Sequence, residues 1–226
     1  MTLMLDSGLG PLILVRRQST SWLICRSTSD VVFMDWTFLE LFGTIVGLVY
    51  LWLEYKASIY LWIASVIMPA INLFVYFNAG LYADFAMDIY YLLIAVYGWI
   101  VWRYGLKKKG DSGGKPAAIT HLPFRTLCIL LLVFVVLFVV IAQVLIHFTN
   151  STVPWLDSFT TSLSIIGMWT LARKYLEQWL VWIVVDAVSA YLYAYKGLYF
   201  YSGLYSLYTV IAILGYLKWK KMMEFV

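Results

Sequence analysis

One stretch constrains this chain more than any other. Leu127–Ile146 reads LCILLLVFVVLFVVIAQVLI, with Gln143 as its only strongly polar side chain. About 20 apolar residues make a helix long enough to span a bilayer. The stretch is apolar on every side, so it has no polar face to turn toward water. Transmembrane β-strands need alternating segments about 10 residues long, which this run does not supply. Further apolar stretches follow one another along the chain. The hydrophobic share is 63% and the charged share 12%, too little charge to cover a soluble domain of 226 residues. The chain therefore reads as an all-α membrane protein. Its spans are expected near Trp36–Leu53, Ser58–Phe77, Phe85–Trp102, Thr126–His147, Ser158–Ala172, Gln178–Tyr195 and Tyr199–Leu217.

Lys and Arg set the expected orientation. Lys56, Arg103, Lys107, Lys108, Lys109, Lys115, Arg125, Arg173, Lys174, Lys218, Lys220 and Lys221 fall on one side. Lys196 and Arg16, Arg17 and Arg26 of the N-terminal extension fall on the other. The first side is expected to be cytoplasmic, which places the N-terminus outside and the C-terminus inside. The Arg173-Lys174 end of the short fifth span is expected to snorkel to the interface. The net charge of +4 reflects this sidedness and not nucleic-acid binding, since no basic face with interleaved aromatics stands outside the membrane. Strong patterning begins at Met34-Asp35-Trp36. Residues 1–33 lack the charged–apolar–small order of a signal peptide, and are expected to be a non-native upstream start or a loosely ordered extracellular tail. Cys25 and Cys128 give no disulfide framework. Two histidines and no clustered spacing give no metal site, and there is no phosphate loop, no nucleophile–base pair and no cofactor motif.

The chain is similar to itself. At one constant offset Gly80-Leu81-Tyr82 meets Gly197-Leu198-Tyr199. Gly98-Trp99 and Trp102 meet Gly215-Tyr216 and Trp219. Trp62, Tyr76 and Tyr91 meet Trp179, Tyr193 and Tyr208. Gly47 meets Gly167 at a slightly larger offset, so one copy of the first hairpin loop is longer. The expected architecture is a first three-helix repeat over 34–105, a cytoplasmic basic loop over 106–125, a linking helix over 126–148, and a second repeat with a basic C-terminus over 155–226. The two repeats are parallel, a 3+1+3 arrangement that belongs to small solute transporters with a site near the midplane.

Ionisable groups inside spans are costly and are functional candidates. A carboxylate at the bilayer centre costs about 2.5–3.5 kcal/mol on insertion scales, and Asp186 sits near the middle of the sixth span. A buried partner, water, a proton or a cationic ligand must offset that cost. Trp179 and Trp182 share its helix face at i, i+3 and i+7, which sets two indoles beside one carboxylate, a fit for a planar cationic ring. An interfacial aromatic belt accounts for Trp179 but not for Asp186. Asp84, Asp88 and Tyr91 share a face of the third span, and the repeat places Tyr201, Tyr205 and Tyr208 at the matching positions. Asp84 fits a solvated interfacial position, and Asp88 lies deeper. Asn72 and Gln143 suit interhelical hydrogen bonds as well as ligand contacts. Glu40 is equally ambiguous, and Asp157 or Ser158 suits the N-cap of the fifth span. The candidate binding residues are therefore Asp88, Asp186, Trp182, Trp179, Tyr91, Tyr205 and Asn72.

Trp155 to Trp219 resembles the PnuC-type nicotinamide riboside transporters through Asp157-Ser158, Leu163-Ser164, Arg173-Lys174-Tyr175, Glu177, Trp179, Trp182, Gly197 and Tyr199. The first repeat agrees through Glu40, Gly43-Thr44, Gly47, Leu81-Tyr82-Ala83, Tyr97-Gly98-Trp99 and Trp102. The resemblance implies a seven-helix homotrimer of a bacterial cytoplasmic membrane that takes up an unphosphorylated vitamin or precursor. It implies facilitated diffusion, with a cytoplasmic kinase or pyrophosphokinase trapping the solute. It places binding on the third and sixth helices, at Asp88, Trp182 and Asp186. Those two acidic positions tend to be amides in nicotinamide riboside transporters. The change brings thiamine, with its cationic thiazolium and its aminopyrimidine, near parity with nicotinamide riboside, and argues against uncharged flavin. A proton-coupled transporter working through Asp186, and a membrane enzyme or assembly subunit, stand as the alternatives.

Overall fold

The computed structural model describes residues 45–79, 82–105, 117–149 and 153–224. The N-terminal extension, Glu40 and the start of the first span lie outside these residues. The described residues are helical in seven segments, and the elements follow the spans expected from apolar length. They are α1 (Ile45–Tyr55), α2 (Leu61–Ala79), α3 (Tyr82–Tyr104), α4 (Phe124–Phe148), α5 (Pro154–Ala172), α6 (Gln178–Tyr195) and α7 (Tyr199–Glu224). Among the described residues three helical stretches are long and apolar enough to cross a membrane: Phe85–Tyr104 of α3, α4 and α7. The chain divides into two compact units, the first ending at Leu92 and the second running from Leu93 to Val226.

In the first unit the buried side chains lie on one stripe of each helix. Tyr50, Leu51 and Glu54 of α1, Leu61, Trp62, Ala64 and Ser65 of α2, and Asp88 and Tyr91 of α3 are all buried. The Ser65 hydroxyl donates to the Trp62 carbonyl at 2.9 Å, which satisfies a polar group without leaving the helix. Pro69 lies inside α2, where neighbouring groups in a membrane protein tolerate the lost backbone bond.

In the second unit α4 packs on α5, α5 on α6, and α6 on α7. Phe134 and Phe138 of α4 stack at 5.9 Å, and Phe159 of α5 meets Phe134 edge-on at 5.7 Å. Trp155 lies 5.7 Å from Phe138. The rest of α4 is largely exposed, as befits a helix whose outer face meets lipid. Its neighbour α5 is unlike it: Ser158, Ser162, Ser164, Gly167 and Thr170 are all buried. Small residues let helix backbones approach closely. Their hydroxyls bond back along the helix, Ser158 to Pro154 O and Ser162 to Ser158 O at 2.6 Å, and Thr170 to Ile166 O at 3.0 Å.

Pro154 starts α5 a turn earlier than the expected Ser158, because proline is preorganised for the first helical position. Neither Asp157 nor Ser158 caps the helix. Val153 occupies the N-cap, and Asp157 instead pairs with Lys196 at 3.3 Å.

Two turns join α5 to α6 and α6 to α7, and both close in the same way. Leu198 N–H donates to Tyr193 O at 2.8 Å and Gly197 N–H to Ala194 O at 3.0 Å, with Gly197 at φ +76°. Tyr175 N–H donates to Thr170 O at 3.1 Å and Lys174 N–H to Leu171 O at 2.8 Å, with Lys174 at φ +61°. These are the paired bonds of a left-handed helix end, a conformation that favours glycine. Within the first unit, Ala57 after α1 adopts φ +51° with the same two bonds, Ser58 to Leu53 O and Ala57 to Glu54 O, each 2.9 Å.

The segment before α4 is tied to the α5–α6 turn. Thr120 N–H donates to Lys174 O at 3.2 Å, and Leu176 N–H donates to Thr120 O at 3.0 Å, forming a parallel bridge between Thr120 and Tyr175. Glu177 completes the clip. Its Oε2 accepts from Leu122 N–H and its Oε1 lies against His121 Nδ1, both at 2.8 Å. Lys174 lies in the turn just beyond α5. Its ammonium sits 4.4 Å over the Trp102 ring, and partial burial lowers its pKa below the ordinary lysine value.

Candidate functional site

The site is built along α6. Gln178, Trp179, Trp182, Val185, Asp186 and Ser189 are all buried, and they repeat at three- and four-residue steps, so they share one stripe. Asp186 is 5% exposed. The i, i+3, i+7 spacing read from the sequence is therefore a packed face, with two indoles and one carboxylate in a column.

Glycines on the neighbouring helices make room for both indoles. A Cβ at Gly167 of α5 would lie 3.3 Å from Cζ2 of Trp182. At Gly215 of α7 the fit is tighter, and a Cβ there would lie 2.5 Å from Cη2 and Cζ3 of Trp179. Trp179 also meets Trp219 edge-on at 5.6 Å, and Trp219 meets Trp102 at 6.0 Å. Trp102 donates through Nε1 to Leu171 O at 3.2 Å. The reading of Trp179 as an interfacial belt residue does not hold, because it is wholly buried under the α7 glycine.

Beyond Asp186 the wall is phenolic. Tyr205 stacks on Tyr193 at 5.0 Å and meets Tyr208 edge-on at 5.5 Å. Tyr208 of α7 and Asp186 are near enough to interact electrostatically. Several buried polar atoms in this region have no hydrogen-bond partner: Nε1 of Trp179 and of Trp182, the Tyr208 hydroxyl, Ser164 Oγ, and both amide atoms of Gln178. Buried polar atoms are normally bonded, so such a concentration marks a place that serves something other than packing.

Asp88 and Tyr91 belong to the first unit. Both are 1% exposed, on the same face of α3. Tyr91 interacts electrostatically with Tyr50 of α1, and Tyr50 with Glu54. Asn72 lies in α2, but its side chain, like that of Asp84, falls outside the described residues.

Glu54 and Gln178 stand out among the buried polar residues that were not candidates. Glu54 is 1% exposed although it follows the expected end of the first span. Gln178 is wholly buried although it opens α6. Its place four residues before Trp182 was the available signal. Among the described residues no three His, Cys, Asp or Glu side chains gather closely enough to hold a metal ion.

Residues 37–221 match the family described as nicotinamide mononucleotide transporter. The chain is 26% identical over 205 residues to the nicotinamide riboside transporter PnuC of Escherichia coli (strain K12), covering 82% of this chain and 86% of that one. It is 25% identical over 181 residues to the riboflavin/roseoflavin transporter RibM of Streptomyces davaonensis, covering 80% and 83%. Its fold is similar to the crystal structure of the vitamin B3 transporter PnuC, with a TM-score of 0.59 at 21% identity over 93% of this chain and 97% of that one.

Proposed function

Since the chain belongs to the nicotinamide mononucleotide transporter family, we propose that it takes up nicotinamide riboside across a bacterial cytoplasmic membrane. It is a multi-pass membrane protein and a transporter of a vitamin precursor, not an enzyme. The observation that carries the choice of solute is Asp186, a buried carboxylate in column with the Trp179 and Trp182 indoles. A carboxylate beside stacked aromatic faces attracts a planar cation. The same carboxylate repels a phosphate, so the site suits the riboside better than the mononucleotide.

The chain is read as two parallel three-helix repeats joined by α4, with the N-terminus outside and the C-terminus in the cytoplasm. The left-handed turns support the repeat: Ala57 and Lys174 occupy corresponding places in the two copies and share one geometry. The domain limits expected from the sequence go with that reading, including 1–33 as an extension and 106–125 as a cytoplasmic loop. Transport is facilitated diffusion, and a cytoplasmic kinase makes it one-way by phosphorylating the solute. The working form is a homotrimer.

Thiamine is the second reading, and the acids favour it. Asp88 and Asp186 are both buried carboxylates, and the aminopyrimidine of thiamine can donate to one. Calorimetric titration of the purified protein with nicotinamide riboside, thiamine and riboflavin tests both readings. Micromolar binding of nicotinamide riboside supports the first. Failure of both nicotinamide riboside and thiamine to bind refutes the role given to Asp186. In liposomes, accumulation beyond equilibration that depends on an imposed pH gradient would replace facilitated diffusion with proton coupling.

A further inference from the structure

Gln178 is 0% exposed, and neither its Oε1 nor its Nε2 has a hydrogen-bond partner. A primary amide offers two donors and an acceptor. Leaving such a group buried and unbonded costs about 1–3 kcal/mol, which a leucine of similar size would avoid. The backbone does not require glutamine here, since its N–H is already bonded to Tyr175 O at 3.3 Å.

Position gives the amide a use. Gln178 and Trp182 stand at i and i+4, on the same face of α6. Trp182 lies against Gly167 of α5, and Ser164 is one turn from that glycine with its hydroxyl also unbonded. The indole N–H groups of Trp179 and Trp182 are unbonded as well. Unbonded neutral donors and acceptors are thus carried on the first turns of α6 and on α5, which packs against it, and the carboxylate of Asp186 stands further along α6. Eight residues separate Gln178 from Asp186, about 12 Å of helix rise. A planar ring carrying a ribose is long enough to lie between them.

We propose that Gln178 is a specificity-determining residue that reads a neutral donor–acceptor edge on the ring of the solute, such as a primary carboxamide. This rests on the function proposed above. Oε1 accepts an N–H of the carboxamide while Nε2 donates to its carbonyl oxygen, and the cationic ring lies along the indoles toward Asp186. A site built to hydrogen-bond a group rejects the analogue that lacks it, because its own polar atoms are then left unpaired.

The test crosses one substitution with one change in the solute. Purified full-length protein and its Gln178→Leu variant are titrated with nicotinamide riboside and with N-ribosylpyridinium, which keeps the cationic ring and the ribose but lacks the carboxamide. The wild type binds nicotinamide riboside about tenfold more tightly than the analogue. Gln178→Leu loses about tenfold in affinity for nicotinamide riboside and no more than about twofold for the analogue. Its thermal midpoint is unchanged or higher, because an unbonded amide has been replaced by an apolar side chain. Equal losses for both solutes, or no loss for either, overturn the proposal. If Gln178→Leu does not fold, Gln178→Asn, which withdraws the amide by one methylene, is held to the same comparison. A wild type that binds neither nicotinamide riboside nor thiamine refutes the functional reading instead, and that result is read without any substitution.

Discussion

Adding one methyl group to Gly215 tests the packing of the site directly. A Cβ there would stand 2.5 Å from two ring carbons of Trp179 and 2.7 Å from a third. Carbon atoms rest about 3.5–4.0 Å apart, so the indole must retreat by about 1 Å. It has little room to do so. Trp179 is fully buried, with Trp219 edge-on at 5.6 Å. Overpacking of this kind costs about 1–3 kcal/mol. Replacing glycine by alanine inside a helix also gains about 1 kcal/mol from propensity. Gly203 separates the two effects, because it lies on the same helix and a Cβ there meets nothing within 4 Å. The propensity gain is common to both substitutions and cancels in their difference. Gly215→Ala is thus expected to be less stable than Gly203→Ala by about 1–3 kcal/mol. Thermal unfolding in detergent reads this as a gap of several degrees, at about 2–4 °C per kcal/mol for a chain of this size. Displacing Trp179 also weakens solute binding in Gly215→Ala and not in Gly203→Ala. Equal melting temperatures and equal affinities for the two variants would refute the reasoning.

Other outcomes follow from the same structure. Asp186→Ala and Trp182→Ala each weaken binding about tenfold or more, or about 1.4 kcal/mol, by calorimetry; folded Asp186→Ala with unchanged affinity would return that residue to a structural role. Glu177→Ala removes the acceptor for Leu122 N–H and the partner of His121, and lowers stability by about 1–2 kcal/mol in a thermal-shift assay. Ala57→Gly relieves a left-handed backbone, and raises stability by about 1 kcal/mol in the same assay. Lys174 has its pKa lowered by burial in the folded state. The unfolded chain therefore binds more protons there between the folded pKa and the ordinary lysine value, and stability from this residue rises with pH across that window. Lys174→Met flattens that rise when melting temperatures are compared between pH 8 and 10.

Much of the molecule was legible because bilayer length and helical spacing are local properties. The run from Leu127 to Ile146 needed no partner to declare itself, and the column of Trp179, Trp182 and Asp186 followed from their numbers alone. Misreadings arose where distant residues decide. The Trp102 ring under the Lys174 ammonium lies far back in the chain, and no local pattern signals that contact. Trp179 resembled a belt tryptophan because the glycine that buries it lies on another helix. Asp157 looked like a cap, yet Pro154 starts the helix before it and Lys196 draws its carboxylate across the end of α6. Gln178 passed unnoticed because a polar residue at a span end is ordinary. Only its complete burial makes it unusual.

The clip between Thr120 and the α5–α6 turn has a consequence for how the chain is made. Thr120 leaves the ribosome before α4, while Tyr175 and Glu177 follow only after α5 is complete. The bridge and the Glu177 bonds therefore form only after α4 and α5 have been synthesised. Closing it fastens both ends of that hairpin into a loop. Within that hairpin α4 and α5 meet through the rings of Phe134, Phe138, Trp155 and Phe159. Glu177 is the last residue to join the clip and the first before α6. The fastening that completes the hairpin thereby fixes the point from which Trp179, Trp182 and Asp186 are laid down, so the site is begun on an anchored foundation.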